Sequence, residues 1–272
     1  SLLKLKAGGG DLSRRQREFH LNGLSFREYL AMEGVVERAP LSLGEILANH
    51  LDIGLEIASG VKILPHWERY FKGGYYPFYR KYAGGYSQRV LQVVNQVLES
   101  DWPSVEDVSV ATIRRARKML RILARRPPQT PKMNELYAEL DTDRKQGLKI
   151  LNALVDAGLL IFFSSDRESL KTLSSPDKVF CDNPNLAYAL ATDADIGTAR
   201  ESWFVNQLRV DHEALYPEKG DVEVDGRWLF EIGGAKKGFG QIKDLPDSYV
   251  VNDGVEIGHG NKIPLWLFGF LY

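Results

Sequence analysis

The sequence predicts an α+β protein made of several units. Its 272 residues exceed the usual size of one domain. Apolar residues recur at helical i, i+3, i+4 spacing between residues 42 and 127, whereas residues 220 to 238 contain two β-rich runs. The hydrophobic content of 44% and charged content of 26% are those of an ordinary globular protein, which argues against a disordered chain. The longest apolar run, Ile263–Tyr272, is too short to cross a bilayer as a helix.

Charge is distributed unevenly along the chain. The net charge is -1, but residues 1–128 hold 20 Lys and Arg against 13 Asp and Glu, and residues 129–272 hold 15 against 23. A basic half joined to an acidic half predicts two units that have different partners or that attract each other. The single cysteine, Cys181, excludes an intrachain disulfide and predicts a cytoplasmic protein.

The first thirty residues contain glycine and arginine runs. Gly8–Gly10 lies outside any GxxxxGK[ST] pattern, so no nucleotide-binding loop is predicted there. Arg14 and Arg15 belong to a charge run that either faces solvent or contacts phosphate. Ser25 and Glu28 have the spacing of a capping box and predict the start of a helix.

The helical region ends in a strongly basic segment. Residues 109–126 have the apolar periodicity of an amphipathic helix and carry seven Lys and Arg with no acid. This basic face either faces solvent or a partner, or binds phosphate. Residues 131–163 then have the pattern of a winged helix, in which Arg144, Lys145 and Lys149 would contact DNA. Neighbouring aspartates weaken this basic surface, so a plain connector is the alternative.

A hairpin near the C-terminus carries the candidate catalytic residues. Asp225-Gly226 separates two β-rich runs, which is a strong hairpin signal. Asp221 and Glu231 lie on opposite arms, with Lys236 and Lys237 just beyond. Carboxylates bind Mg²⁺ and a lysine can steady a phosphate, so this pattern predicts a nuclease-like metal site. The alternative is a hairpin whose charges face water.

The register of the hairpin decides between these alternatives. A strict two-residue turn at Asp225-Gly226 would pair Asp221 with Phe230, and Glu231 would then point to the opposite face. A three-residue loop, which a bulge at Gly226 allows, would put the two acids on one face. The sequence also predicts a strand at Val255–Ile257.

Four segments resemble one family. The chain is similar to bacterial and archaeal AAA-type P-loop ATPases whose C-terminal domain, of unknown function, is related to the PD-(D/E)XK nucleases. The segments are DLSRRQREFHLNGLSFREYL at 11–30, GTARESWFVNQL at 197–208, GDVEV with LFEIGG at 220–234, and IPLWLFGFLY at 263–272.

The resemblance implies a domain organisation and a parent activity. Walker A and Walker B motifs, expected upstream, are not in this sequence, so the chain is expected to be the C-terminal portion, and ATP and Mg²⁺ would serve the parent protein. The missing ATPase core, DNA and further copies of the chain are the candidate partners, and Arg14 or Arg15 would act as an arginine finger. The implied units are an ATPase-core remnant at 1–30, a helical lid at 31–128, a winged-helix connector at 129–175 and a nuclease-like α/β domain at 176–272.

The chain departs from the nuclease pattern at one position. The pattern places a lysine two residues after the second acid, where this chain has Gly233. Lys236 or Lys237 would have to reach the site from the following loop. The leading interpretation is therefore a lid joined to a recognition or structural module with an inactive nuclease-like domain. The alternatives are a metal-dependent nuclease at Asp221, Glu231 and Lys236, or a winged-helix DNA-binding module.

Overall fold

This computed structural model describes residues 21–82, 84–126, 133–165 and 176–272. Helices and strands both occur, and the predicted α+β class is confirmed. Gly8–Gly10, Arg14 and Arg15 lie outside the described residues.

Three helices open the described chain. They are α1 at Phe26–Met32, α2 at Leu43–Gly60 and α3 at Ile63–Gly73. The predicted capping box at α1 is confirmed, because Ser25 Oγ accepts from Glu28 N at 3.2 Å and Ser25 N donates to the Glu28 carboxylate at 2.9 Å. This reciprocal pair satisfies two backbone donors that a helix start otherwise leaves free.

A second group of helices surrounds a two-stranded sheet. Its helices are α4 at Tyr86–Gln96, which continues into a π-helical turn at Val97–Asp101, α5 at Val110–Arg125, α6 at Met133–Glu139, α7 at Arg144–Asp156 and α8 at Pro184–Leu190. Strands β1 at Leu160–Phe163 and β2 at Lys178–Cys181 pair antiparallel, with Phe163 opposite Lys178. Helices α5, α6 and α7 are followed along the chain by the strand pair β1–β2.

The C-terminal part is one helix followed by a mixed sheet. Helix α9 spans Ile196–Leu208, and the strands are β3 at Ala214–Leu215, β4 at Val222–Val224, β5 at Trp228–Gly234, β6 at Ser248–Asp253 and β7 at Lys262–Pro264. The strands lie in sequence order, antiparallel from β3 to β5 and parallel from β5 to β7. A 3₁₀ segment at Leu265–Phe270 follows, and its side chains are buried.

The predicted strand at Val255–Ile257 is wrong, since these residues form no strand. Glu256 instead binds other elements: its side chain accepts from Ile63 N at 3.2 Å, and its carbonyl accepts from Trp266 Nε1 at 3.3 Å. Through these two bonds Glu256 connects the start of α3 to the 3₁₀ segment.

Two hydrophobic cores hold the described residues together. The first combines α1, α2 and α3 with α9 and the mixed sheet, and the second combines α4 to α8. The β1–β2 pair separates them, because Ile161 and Phe180 belong to the first core while Leu160 and Val179 belong to the second. The cores therefore divide the chain differently from the boundaries predicted at residues 128 and 175.

Candidate functional site

The hairpin turn sets the positions of the two predicted acids. Asp225 and Gly226 both have left-handed φ, of 53° and 63°, and Arg227 N donates to Val224 O at 3.1 Å. Beyond this turn the register pairs Val224 with Trp228, so three residues lie between paired positions. The pairing of β4 with β5 ends at Val222 and Phe230, so Asp221 lies just outside it. Both acids are nevertheless near Lys237, because the charges of Asp221 and Glu231 both raise the pKa of that lysine.

Asp221 is fixed to the neighbouring strand just before β4. Its backbone N donates to Phe230 O at 2.8 Å, and its Oδ2 accepts from Ile232 N at 2.7 Å. These bonds flank Glu231 in sequence, so the Asp221 carboxylate is held beside that residue.

Glu231 lies in β5 and is only 3% exposed. Its Oε1 is 2.8 Å from Lys237 Nζ. Its Oε2 is buried and has no hydrogen-bond partner among the described residues. A buried carboxylate oxygen without a donor is costly, and a bound cation would satisfy it.

Lys237 reaches the site across Gly233. A Cβ atom at residue 233 would lie 2.8 Å from Cβ, Cγ and Cδ of Lys237, so the glycine makes room for the lysine side chain. Burial acts to lower the pKa of Lys237, but the hydrogen bond to Glu231 and the charges of Asp221, Glu231 and Glu201 raise it overall. Lys236, the other candidate, is exposed. The structure thus brings Lys237, and not Lys236, across Gly233 to Glu231.

Two further residues of the site were missed from the sequence. Glu201 on α9 and Lys178 on β2 are 5% and 4% exposed, and their Oε2 and Nζ atoms are 2.6 Å apart. Burial raises the pKa of Glu201 to about 7; Lys178 opposes that shift and Asp221 adds to it. The sequence did contain a signal for Glu201: an acid in a helix that is apolar on several sides is expected to be buried and therefore paired. Lys178 had none, since a lysine at the edge of an apolar run is ordinary.

The acids fit a hard divalent cation with few protein ligands. No group of three or more His, Cys, Asp or Glu side chains that could hold a metal ion is found in the described ranges. Mg²⁺ commonly takes one or two carboxylates together with water and substrate phosphate. Asp221 and Glu231 supply two carboxylates near Lys237, and Glu231 Oε2 supplies an acceptor without a donor among the described residues. This donor set suits Mg²⁺ or Mn²⁺.

The predicted DNA-contacting residues of the winged helix are only partly available. Arg144 and Lys145 are exposed at the start of α7. Lys149 is turned toward the loop before α5, where its Nζ lies 2.7 Å from Glu106 Oε1. Two of the three basic side chains therefore face solvent.

The basic face of α5 is largely occupied by contacts within the chain. Five of the seven basic residues between 109 and 126 bind acceptors: Arg115 binds Leu140 O, Arg117 binds Glu99, Lys118 binds Glu139 O, Arg125 binds Asp193 and Arg126, just after α5, binds the Glu139 carboxylate. These contacts link α5 to the end of α6, to the π-helical turn after α4 and to the segment before α9. Holding the helices together accounts for much of this charge.

Comparisons of the chain with known protein families, characterised proteins and solved structures yield no match. Among the residues described, no helix has the length and apolar character needed to span a membrane.

Proposed function

We propose that the C-terminal part of the chain is a divalent-metal-dependent site for hydrolysis of nucleic-acid phosphodiesters. The observation that carries the proposal is the placement of Lys237, whose side chain crosses Gly233 and pairs with Glu231 at 2.8 Å. A lysine from the following loop thus compensates for the one departure from the nuclease pattern.

Each residue has a role that follows from its contacts. Asp221 and Glu231 would hold the ion through carboxylates that both lie near Lys237. Such an ion supplies Lewis acidity for phosphoryl chemistry. Lys237 has three donors, of which one binds Glu231, and the others are available for a phosphate oxygen or a water. Gly240 leaves space beside the ligands, since a Cβ there would lie 3.4 Å from Glu231 Oε1.

The second candidate is a recognition or structural module with no hydrolytic activity. It is favoured by the pairing of the buried acids with lysines, Glu201 with Lys178 and Glu231 with Lys237, which neutralises charge without a metal. In this case the chain would serve as the C-terminal portion of an AAA-type ATPase, a role that the sequence resemblance alone implies.

Cleavage assays separate the two candidates. Plasmid DNA and single-stranded RNA are incubated with the full chain in Mg²⁺, Mn²⁺ or EDTA. The proposal expects metal-dependent cleavage that falls at least 100-fold in Asp221→Asn, Glu231→Gln and Lys237→Met. Lys236→Met is the matched control, because it makes the same change on an exposed neighbour and should cleave like the native chain. Native protein that cleaves neither substrate supports the inactive module, and cleavage that survives Asp221→Asn and Glu231→Gln refutes the site.

A further inference from the structure

Lys178 is buried at the centre of the acidic cluster. Its side chain is 6% exposed, and Nζ lies 2.6 Å from Glu201 Oε2 and 3.9 Å from Asp221 Oδ1. Nζ also lies 5.0 Å from the centre of the Tyr216 ring, a cation–π distance. Lysines are almost never this buried unless they are paired, and this one is paired on two sides by acids and faces an aromatic ring.

Asp221 is shared between two cation positions. Its Oδ2 is bound at β5 beside Glu231, whereas its Oδ1 faces Lys178. One carboxylate between two cations is the arrangement of two-metal hydrolytic sites, where the ions lie about 3.5–4 Å apart. Here an ammonium already lies on one side of Asp221.

We propose that the Lys178 ammonium is a built-in cation on the Glu201–Asp221 side of the site, so that the native chain takes one divalent ion, at Asp221 and Glu231, and excludes a second. The position of that first ion rests on the proposed function. The exclusion itself depends only on Lys178 and its two acids.

The local charges agree with a single ion. When Glu201 is ionised, three carboxylates (Glu201, Asp221 and Glu231) face two ammonium groups (Lys178 and Lys237), so the cluster carries a formal charge of minus one. One divalent ion changes the sign of this charge, and a second would add two more positive charges beside a buried ammonium. Without Lys178 the cluster would carry minus two, and the Glu201–Asp221 side would attract a divalent ion.

The position of Lys178 is set from outside the mixed sheet. Lys178 begins β2 and pairs with Phe163 at the end of β1. Ser164 O accepts from Tyr216 N at 3.0 Å, which ties the end of β1 to the segment carrying the ring over Lys178. The β1–β2 pair therefore contributes one of the cations of the C-terminal site.

Counting bound Mn²⁺ tests this inference. Mn²⁺ is titrated into the native chain, Lys178→Met and Lys178→Arg, and free ion is measured by electron paramagnetic resonance alongside calorimetry. We expect one Mn²⁺ in the native chain and in Lys178→Arg, two in Lys178→Met, and loss of the additional ion in Lys178→Met/Glu201→Gln. An equal number of ions in Lys178→Met and the native chain would overturn the inference.

The test keeps this inference separate from the proposed function. A native chain that binds no Mn²⁺, together with a Lys178→Met chain that binds one through Glu201, would refute the metal site at Asp221 and Glu231 and support the role of Lys178. If Lys178→Met is poorly folded, Mn²⁺ should restore its Tm more than it raises that of the native chain, since an ion that binds only the folded state stabilises it. Absence of such rescue counts against the inference.

Discussion

Replacing Gly233 by alanine should displace Lys237 from Glu231. The added Cβ would lie 2.8 Å from three carbons of Lys237, whereas carbon atoms in contact normally lie about 3.5–4.0 Å apart. One of the three is Cβ of Lys237, which cannot move without the backbone. The clash is therefore not relieved by a simple change of rotamer.

The expected cost follows from two possible responses. If the backbone yields, overpacking of this kind costs about 1–3 kcal/mol. If the lysine leaves, the 3% exposed Glu231 loses an ion pair, and breaking a buried pair costs about 3–5 kcal/mol. The lysine side chain is 35% exposed, so solvent screening reduces the second figure. We expect Gly233→Ala to lower the free energy of unfolding by roughly 2–3 kcal/mol.

Urea denaturation with a matched variant measures this effect. At the neighbouring Gly234 an added Cβ would meet Arg200 Nη1 at 3.5 Å, an ordinary contact, so Gly234→Ala should stay within about 1 kcal/mol of the native chain. Only loss of the Lys237 Cβ removes the clash completely, so Gly233→Ala/Lys237→Gly should be about as stable as Lys237→Gly alone. Equal urea midpoints for Gly233→Ala and Gly234→Ala, or simple addition of the effects of Gly233→Ala and Lys237→Gly, would refute this prediction.

Three other predictions concern the polar core, the pH dependence of stability and the basic surface. Asn185 is buried, accepts a hydrogen bond from Tyr75 N and donates one to Phe71 O, so Asn185→Ala should lower the free energy of unfolding in urea by about 2–4 kcal/mol. The control Asn49→Ala lies on an exposed helix face and should change the free energy of unfolding little; similar values for the two variants would contradict the prediction. Burial raises the pKa of Glu201 from 4.5 to about 7, so the folded state holds a proton that the unfolded state releases. In EDTA, the contribution of Glu201 to stability should be complete below about pH 4.5 and be lost as pH rises through 7. Glu201→Gln should therefore gain unfolding free energy relative to the native chain as pH rises across this range, and a constant difference between the two would contradict the raised pKa. If the predicted winged helix binds duplex DNA, its affinity should fall steeply as the salt concentration rises, because each phosphate contact releases counterions. Binding should be lost in Arg144→Ala/Lys145→Ala/Lys149→Ala. Binding that this variant retains would point instead to the exposed Arg114 and Arg121 on α5.

Local features were predictable from the sequence because they depend on neighbouring residues. The capping box at Ser25 and Glu28 requires only a spacing of three residues. The hairpin at Asp225-Gly226 requires residues that tolerate left-handed φ, which Asp and Gly do. The missing lysine at Gly233 was equally visible, since the pattern specifies its distance from Glu231.

The composition of the site was decided by tertiary structure. The same Asp-Gly turn permits two registers; the observed one is accompanied by contacts to the segment before β3, where Asp225 N donates to Glu213 O at 2.9 Å. Lys236 and Lys237 are equivalent in sequence, and only the path of the loop beyond β5 turns one of them over Gly233.

Glu201 and Lys178 show the same limit over a longer range. They stand 23 residues apart and on different elements, yet share a buried ion pair beside Asp221. Sequence periodicity reports which face of one element is apolar, but it carries no information about which elements meet. The sequence by itself therefore determined the fold class and the two acids of the hairpin, whereas long-range packing decided which cations surround them.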